Sequence, residues 1–562
     1  MKLKGVQILM EILKEEGVDT IFGYPGGAVI DIYDELMNTD IRHILVRHEQ
    51  AAIHAADAYA RAKESVGVAL VTSGPGATNT VTGIASAYMD SIPMVIFTGQ
   101  VPTSLIGNDA FQEVDIVGIT RPCTKHNYLV KRIEDLARIV KEAFHIARSG
   151  RPGPVLIDLP KNVQNETYEF TPYIDIELKT YNPTYTPNKK QLSRVVEMIK
   201  EAKKPVIFSG GGVRLSQASD ELRTLARKAQ IPVTSSLMGL GAYPGDDPLW
   251  LGMIGMHGTY RANMCTGECD LMIAVGVRFD DRVTGKISDF LPNAKIVQID
   301  IDPTSIHKNI PVEVPIVGDC KATLSIINKM METTDMGDLA SARAPWFAQI
   351  QSWKEKNNLG YHQTDDVIKP QYVVEKLYEV TEGNAIITTE VGQNQMWAAQ
   401  YYHLNKPSHF ITSGGLGVMG FGLPAALGAK AACPDALVVD VAGDGSIQMN
   451  IQELATLIQY NLPVKIVILN NQFLGMVRQW QELFYDKRYA STPMEHAPDF
   501  IKLAEAYGAT GLRATRPAEV EGVLKDGLSR PGTVIMEFIV DREECVYPMV
   551  PAGAAVTEML LV

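Results

Sequence analysis

Along the chain, short unbroken runs of apolar residues give way to Gly-rich turns and then to stretches of helical periodicity. HILVRHE runs into QAAIHAADAYARA, and VGVALVTSGPGATN into TVTGIASAYMD. PVIFSGGGVR, LMIAVGVRFDD, KIVQIDIDP, ALVVDVAGDGS and VKIVILNNQ repeat the pattern. Continuous Val/Ile/Leu runs bounded by glycine fit parallel strands covered on both faces. Their alternation with helices predicts βαβ units and an α/β class of doubly wound parallel sheets. The opening MKLKGVQILMEILKEEG reads as one amphipathic helix.

Two stretches break the rhythm. Residues 165–188 are rich in Pro, Tyr and Thr, and residues 333–370 contain TTDMGDLASARAPW and NNLGYHQTDDVIKP. Both read as linkers. They divide the chain into 1–164, 189–332 and 370–540, each the size of one doubly wound domain, with 541–562 as a C-terminal arm. No fixed-period repeat or low-complexity tract appears.

Composition narrows the function classes. The 562 residues are 46% hydrophobic and 21% charged, ordinary for a globular protein. A net charge of −13 gives no support to a nucleic-acid surface, which needs clustered Lys and Arg. No apolar run approaches the ~18–20 residues that span a bilayer, and the first residues lack the apolar core of a signal peptide. Of six cysteines only Cys265 and Cys269 lie close together. A zinc site would bring a second pair, so thiols in a reducing cytoplasm are expected.

The candidate chemistry sits late in the chain. ALVVDVAGDGS ends a strand at Asp444, flanked by Gly443 and Gly445, and VKIVILNNQFLG ends another at Asn470 and Asn471. One right-handed crossover between them returns the chain parallel, so both ends lie at the carboxyl edge where open α/β sheets bind ligands. The glycines let backbone amides approach an anion, and a helix expected directly after Ser446 turns its positive end toward it. A carboxylate, an amide oxygen and the Phe473 carbonyl are hard ligands suited to Mg²⁺ shared with a phosphate group. Taken singly, Gly-Asp-Gly is a turn and Asn-Asn a strand cap; two neighbouring strand ends with hard ligands favour a metal bridging protein and diphosphate.

GDGS followed by NN at this spacing resembles the thiamine-diphosphate motif. The order of further segments resembles the catalytic subunits of the acetohydroxyacid synthase (acetolactate synthase) family over almost the full length: FGYPGGAVIDIYD, RHEQAA, TSGPGATN, AFQEVDIVGITRP, RPGPVLIDLP, GMHGTYRAN, VGVRFDDRVTG, IDIDPTSI, GGLGVMGFGLPAALGA and FLGMVRQWQ. The resemblance implies three domains, for the aminopyrimidine, for FAD and for the diphosphate, with the active site between two subunits of a homodimer or homotetramer. It also implies a small ACT-domain regulatory subunit as a partner of anabolic members. Gly26, Gln393, Asn394, Gly417 and Ser446 match cofactor-binding positions. Asn394 stands where the family commonly has His, and its amide can still donate to phosphate.

Glu49 closes HILVRHE and opens an Ala-rich helix, where an acid favours the positive helix end. The resemblance instead gives it a hydrogen bond to the pyrimidine N1′, its apolar surround favouring the protonated acid. Met419 matches an apolar prop that bends the cofactor. Arg282 matches the grip on the carboxylate of the second keto acid, for which a guanidinium fork is suited, and Arg278 matches a flavin contact; the competing role of both is an ion pair with Asp280 or Asp281. Met476 and Trp480, four apart on one helical face, match a wall selecting 2-ketobutyrate over pyruvate. Phe111, Gln112 and Lys161 match positions near the same cleft.

PVIFSGGGVR holds Gly210 and Gly212 in a strand-turn that is not a full GxGxxG, a weak dinucleotide signal by itself. Asp300 near a strand end would hold ribose hydroxyls. Arg151, Met256, His257, Gly276, Ile301 and Asp319 complete the resemblance to FAD-binding members. The reaction so implied joins 2-keto acids without net redox change, making the flavin structural. A flavin oxidoreductase of the pyruvate oxidase kind and a non-catalytic binding subunit are the competing classes.

Overall fold

The computed structural model describes residues 1–172, 176 and 178–561. Residues 173–175 and 177 of the first expected linker, and Val562 of the arm, lie outside the described residues.

Three six-stranded parallel sheets carry the architecture. The N-terminal sheet uses Thr20–Tyr24, Arg42–Leu45, Gly67–Val71, Met94–Gln100, His126–Leu129 and Pro154–Pro160. Numbered along the chain, these lie side by side in the order 2-1-3-4-6-5. The C-terminal sheet, Ile386–Thr389, Phe410–Ile411, Val438–Gly443, Lys465–Asn470, Thr510–Ala514 and Val534–Ile539, has the same order. The inner strands Met94–Gln100, Pro154–Pro160, Val438–Gly443 and Lys465–Asn470 are almost wholly buried, as expected of sheets with helices on both faces.

The middle sheet, Pro205–Ser209, Val233–Ser235, Trp250–Met253, Leu271–Val275, Lys295–Asp300 and Val314–Val317, runs 3-2-1-4-5-6. This is the order of dinucleotide-binding folds, whose ligand crevice opens where the strand order reverses. Here that point lies between Pro205–Ser209 and Leu271–Val275.

The equivalent helices of the two outer sheets, Glu49–Lys63 and Gly422–Ala432, pack on each other. Small residues permit the close approach: Ala51, Ala52, Ala55 and Ala56 are fully buried, and a Cβ on Gly428 would strike the Ala55 carbonyl. One apolar cluster therefore spans both domains.

Three local expectations are corrected. Lys2–Lys4 is a strand, paired antiparallel with Thr167–Glu169 inside the first expected linker, and the helix begins only at Gly5. The second expected linker holds an 18-residue helix, Leu339–Lys356, with Pro345 inside it. Its buried Arg343 donates to the carbonyls of Ile199, Ala202 and Ala229, and Trp346 Nε1 donates to Pro205 O (3.2 Å). The Arg343 bonds satisfy carbonyls at the ends of two central-domain helices, Lys189–Glu201 and Ser219–Ala229. Third, Ser446–Asn450 is a 3₁₀ turn, and the α-helix starts at Glu453.

Candidate active site

Val438–Gly443 and Lys465–Asn470 are adjacent and parallel, with Gly443 opposite Leu469. Asp444 and Asn471, each one residue past its strand, therefore emerge side by side. The Asp444 carboxylate is buried beneath the backbone amides of Asn471 and Gln472, and burial pushes it up to about 7. Its Oδ2 has no partner, although a buried acceptor left unpaired is costly. Asn470 is taken up elsewhere, its Nδ2 donating to Glu537 Oε1 (2.7 Å). Asn471 donates to Gln393 Oε1 (3.1 Å), and its Oδ1 accepts the Phe473 amide (3.1 Å), which leaves that oxygen a second lone pair.

Gly445 lies against Leu474, and Gly475 against Gln393 and Asn471, so neither has room for a side chain. Gln393 and Asn394 begin the helix Gln393–Tyr401 beside this edge. The Asn394 Nδ2 protons go to Glu390 O (3.0 Å) and Val441 O (2.8 Å). Those of Gln393 go to Gln479 Oε1 and Glu544 O, both at 2.9 Å. Both Asn394 Nδ2 protons are thus engaged by backbone carbonyls, and its Oδ1 lies on the side of Gly443.

A cavity of about 1400 Å³ runs from the middle sheet to the C-terminal domain. At one end it is lined by Gly212, Gly276, Asp300, Ile301, Asp319, Arg151, Met256, His257 and Arg278. A Cβ on Gly212 would lie 2.6 Å from the Gly276 Cα, and one on Gly210 would strike the Gly276 carbonyl. Two backbones thus touch at the point where the strand order reverses. Asp300 ends its strand there, and burial pushes its carboxyl up to about 6. His257 is buried with Nδ1 3.2 Å from Pro548 O, and burial holds it down at about 4.

At its other end the cavity meets Arg282, Gly417, Met419, Met476 and Trp480. Arg278 and Arg282 make only loose pairs with Asp280 (4.0 Å) and Asp281 (3.8 Å). Met476 and Trp480 lie half-buried on one face of Gly475–Phe484. The back of that helix is polar: Arg478 donates to Glu544 O (2.8 Å), and Gln479 Nε2 to Val546 O (3.0 Å), both in the C-terminal arm.

Glu49, Gly26, Phe111, Gln112 and Lys161 are outside this lining. Glu49 is the first residue of its helix, and Oε2 accepts from Asn79 Nδ2 (2.9 Å). Glu49 itself is half-buried. A Cβ on Gly26 would press on Thr72, and one on Gly74 on Gln112. Lys161 Nζ donates to Gly27 O (2.8 Å), while Phe111 is 88% exposed.

Three family models cover most of the chain. Residues 3–119 match the N-terminal TPP binding domain of thiamine pyrophosphate enzymes, 192–327 their central domain and 390–538 their C-terminal TPP binding domain. The acetolactate synthase large subunit of Haemophilus influenzae is 50% identical over 566 residues, covering 100% of this chain and 98% of the relative. The isozyme 3 large subunit of Escherichia coli gives the same figures. A probable large subunit from Methanocaldococcus jannaschii is 47% identical over 567 residues, covering 99% and 95%. The chain belongs to the acetolactate synthase large-subunit family of thiamine pyrophosphate enzymes.

For a member of this family, sequence reasoning passed over two side chains. Asn79 lies in TSGPGATN, a segment matched without singling out its last residue. Asp90 ends the helical stretch TVTGIASAYMD; it is buried and lines the cavity.

Proposed function

We infer that this chain is the catalytic subunit of an acetolactate synthase. It releases carbon dioxide from pyruvate and joins the remaining two-carbon unit to a second 2-keto acid. With pyruvate as acceptor the product is 2-acetolactate; with 2-ketobutyrate it is 2-aceto-2-hydroxybutyrate. These are steps of branched-chain amino acid synthesis. The observation that carries this reading is the single cavity joining a dinucleotide-type crevice to Arg282, Met419, Met476 and Trp480.

Thiamine diphosphate, when bound, supplies the electron sink that decarboxylation of a 2-keto acid requires. The unpartnered Asp444 oxygen and the hard donors beside it fit Mg²⁺, held by Asp444, Asn471 and the Phe473 carbonyl. Gly443, Gly445 and Ser446, with the first backbone amides of the Gln393 helix, would face the diphosphate. Glu49 holds or gives a proton at the pyrimidine nitrogen, with Gly26 on the same side. Arg282 binds the carboxylate of the incoming keto acid, Met419 and Gly417 wall the reacting end, and Met476 and Trp480 meet the acceptor's alkyl group. Phe111, Gln112 and Lys161 belong to the same cleft from the side of Glu49.

We assign the crevice to FAD. Gly210, Gly212 and Gly276 would clear a path for its phosphates, Asp300 would meet its ribose hydroxyls, and Arg151, Met256, His257, Arg278, Ile301 and Asp319 would line it. The volume exceeds the ~300–1000 Å³ of common ligand sites. As the reaction is not redox, the flavin serves as structure. The domains are then 1–164 for the aminopyrimidine, 189–332 for FAD and 370–540 for the diphosphate, with 541–562 as an arm.

Because Glu49 and its neighbours stand outside the cavity of their own chain, the complete site is assigned to the meeting of two subunits, in a homodimer or homotetramer. A small ACT-domain regulatory subunit is the further partner expected. Among the described residues no helix is long and apolar enough to cross a membrane. The six cysteines are unpaired, which supports the cytoplasm. Incubating the purified chain with pyruvate, thiamine diphosphate and Mg²⁺, with and without FAD, tests the reading through the acetolactate formed. Pyruvate consumption that needs an electron acceptor and yields no acetolactate would replace it with the oxidase reading.

A further inference from the structure

Where the three domains meet, four charged side chains are buried together. Arg61, on the Glu49 helix, pairs through Nε with Asp57 (2.6 Å) and through Nη2 with Asp90 (3.2 Å). Arg214, from the short helix after the central Gly-rich turn, is buried beside them. Two positive and two negative groups balance in number, while Arg214 Nε and Nη2 and both Asp57 oxygens are buried without a hydrogen bond.

This cluster reaches into one segment of the C-terminal domain. Arg61 Nη1 donates to Thr412 O (2.8 Å). Ser86 Oγ and Ser413 Oγ share a hydrogen bond (2.9 Å), and Ser413 Oγ also accepts the Val418 amide (3.1 Å). Asp90 ends the helix Val81–Asp90 and accepts Gly414 N at Oδ2 (3.1 Å) and Gly415 N at Oδ1 (2.7 Å). Four consecutive residues of the C-terminal domain are thus each held by a side chain of the N-terminal domain. Directly beyond them Leu416, Gly417 and Met419 line the cavity.

The glycine pair explains why such a grip is needed. Gly loses more conformational freedom on ordering than any other residue, so this loop is costly to fix by its own backbone. Packing leaves no alternative, since a Cβ on Gly415 would lie 2.8 Å from Met89 Cβ and 3.0 Å from Asp90 Oδ1. Only a carboxylate can accept one amide on each oxygen while also pairing with Arg61. An Asn there would turn an NH₂ group toward an N–H.

We propose that Asp90, helped by Arg61 and Ser86, is a positioning residue for the carboligation: it pins the Thr412–Gly415 backbone and so sets the place of Met419 on the cavity wall. The proposal rests on the function inferred above, and it makes Asp90 act through Met419 without touching the reacting atoms.

The test is a pair of double-mutant cycles. Asp90→Asn and Ser86→Ala are made alone and each together with Met419→Ala. For each variant kcat, the pyruvate KM, thiamine-diphosphate affinity and the thermal midpoint are measured. Displacement of a wall by about 1 Å gives a kcat loss of roughly 10–100-fold for Asp90→Asn; loss of one neutral hydrogen bond gives about threefold for Ser86→Ala. Pyruvate KM and cofactor affinity should stay within about twofold. In the Met419→Ala background either change should cost less than about twofold more, because coupled positions are not additive. Wild-type kcat in Asp90→Asn, or losses that multiply in full with Met419→Ala, would overturn the proposal. If Asp90→Asn does not fold, the Ser86→Ala cycle decides by the same criterion. A wild-type enzyme that makes no acetolactate would instead defeat the underlying functional reading.

Discussion

Glu49 Oε2 accepts a hydrogen bond of 2.9 Å from Asn79 Nδ2. The amide fixes one oxygen of the acid and leaves the other, Oε1, facing the space above Gly76. An acid meant to exchange a proton with a ring nitrogen needs one oxygen anchored and one free. Glu49→Gln should therefore slow acetolactate formation about 10²–10⁴-fold, the usual effect of losing an acid–base group. Asn79→Ala, which frees the acid without removing it, should cost about tenfold. Steady-state turnover at saturating cofactor checks both, and near-wild-type rates for Glu49→Gln would remove the assigned role.

Asp444 has a buried oxygen without a partner, and a divalent ion is the group that would satisfy it. Asp444→Ala should abolish Mg²⁺-dependent retention of thiamine diphosphate while leaving flavin absorbance in place, since the crevice glycines lie on another sheet. Calorimetric titration with the cofactor, with and without Mg²⁺, reads this directly. Unchanged affinity in the variant would rule out the proposed ligand.

The contrast between Asp444 and Asp90 shows what a sequence discloses. Asp444 and Asn471 are legible because each follows an apolar, Gly-bounded run and a single crossover forces the two strand ends together. The resemblance then supplies the residues proposed for the crevice and the substrate, motif by motif. Asp90 bonds Gly415 across 325 positions, and no local pattern announces such a partner. The helix Leu339–Lys356 is hidden for a related reason: Pro345 interrupts its pattern, and its hold on the central domain comes from Arg343 and Trp346. Lys2–Lys4 is too short for any period and becomes a strand only because Thr167–Glu169 lies beside it. The side-chain protons of Gln393 and Asn394 could not be allotted without the distant carbonyls that take them.

Trp480 and Met476 project into the cavity from a helix whose opposite face is pinned by Arg478 and Gln479. A wall that recognises one additional methyl group is worth only ~1–3 kcal/mol. Trp480→Ala should lower the preference for 2-ketobutyrate over pyruvate by about 10–200-fold at most, with total turnover reduced far less. The ratio of the two products from mixed substrates measures it. An unchanged ratio would show that the selecting wall lies elsewhere.

Gly212 meets Gly276 backbone to backbone, with no flexible side chain to yield. Gly212→Ala would place a methyl group 2.6 Å from the Gly276 Cα, forcing the two strand ends apart at the proposed phosphate path. The purified variant should lose the flavin absorption band. Retention of stoichiometric flavin would mean that the cofactor's phosphates run elsewhere.

Asp158 supplies a pH signature independent of any ligand. It is buried in the N-terminal sheet, accepting from Thr98 Oγ1 (2.7 Å) and Gln100 Nε2 (2.9 Å), and burial pushes its carboxyl up to about 7 against an ordinary 3.8. The folded chain thus holds this proton more tightly than the unfolded chain. Below pH 3.8 both states carry it and the group has no effect on the pH slope. Between about pH 4 and 7 the folded state alone binds it, so stability falls as pH rises. Above 7 the full penalty of a buried carboxylate remains, a few kcal/mol in order of magnitude. Asp158→Asn removes the titration. Urea midpoints measured for wild type and variant at pH 5 and pH 8 should show the variant gaining relative to wild type on going to pH 8. A difference between the two proteins that stays constant with pH would place the Asp158 proton elsewhere.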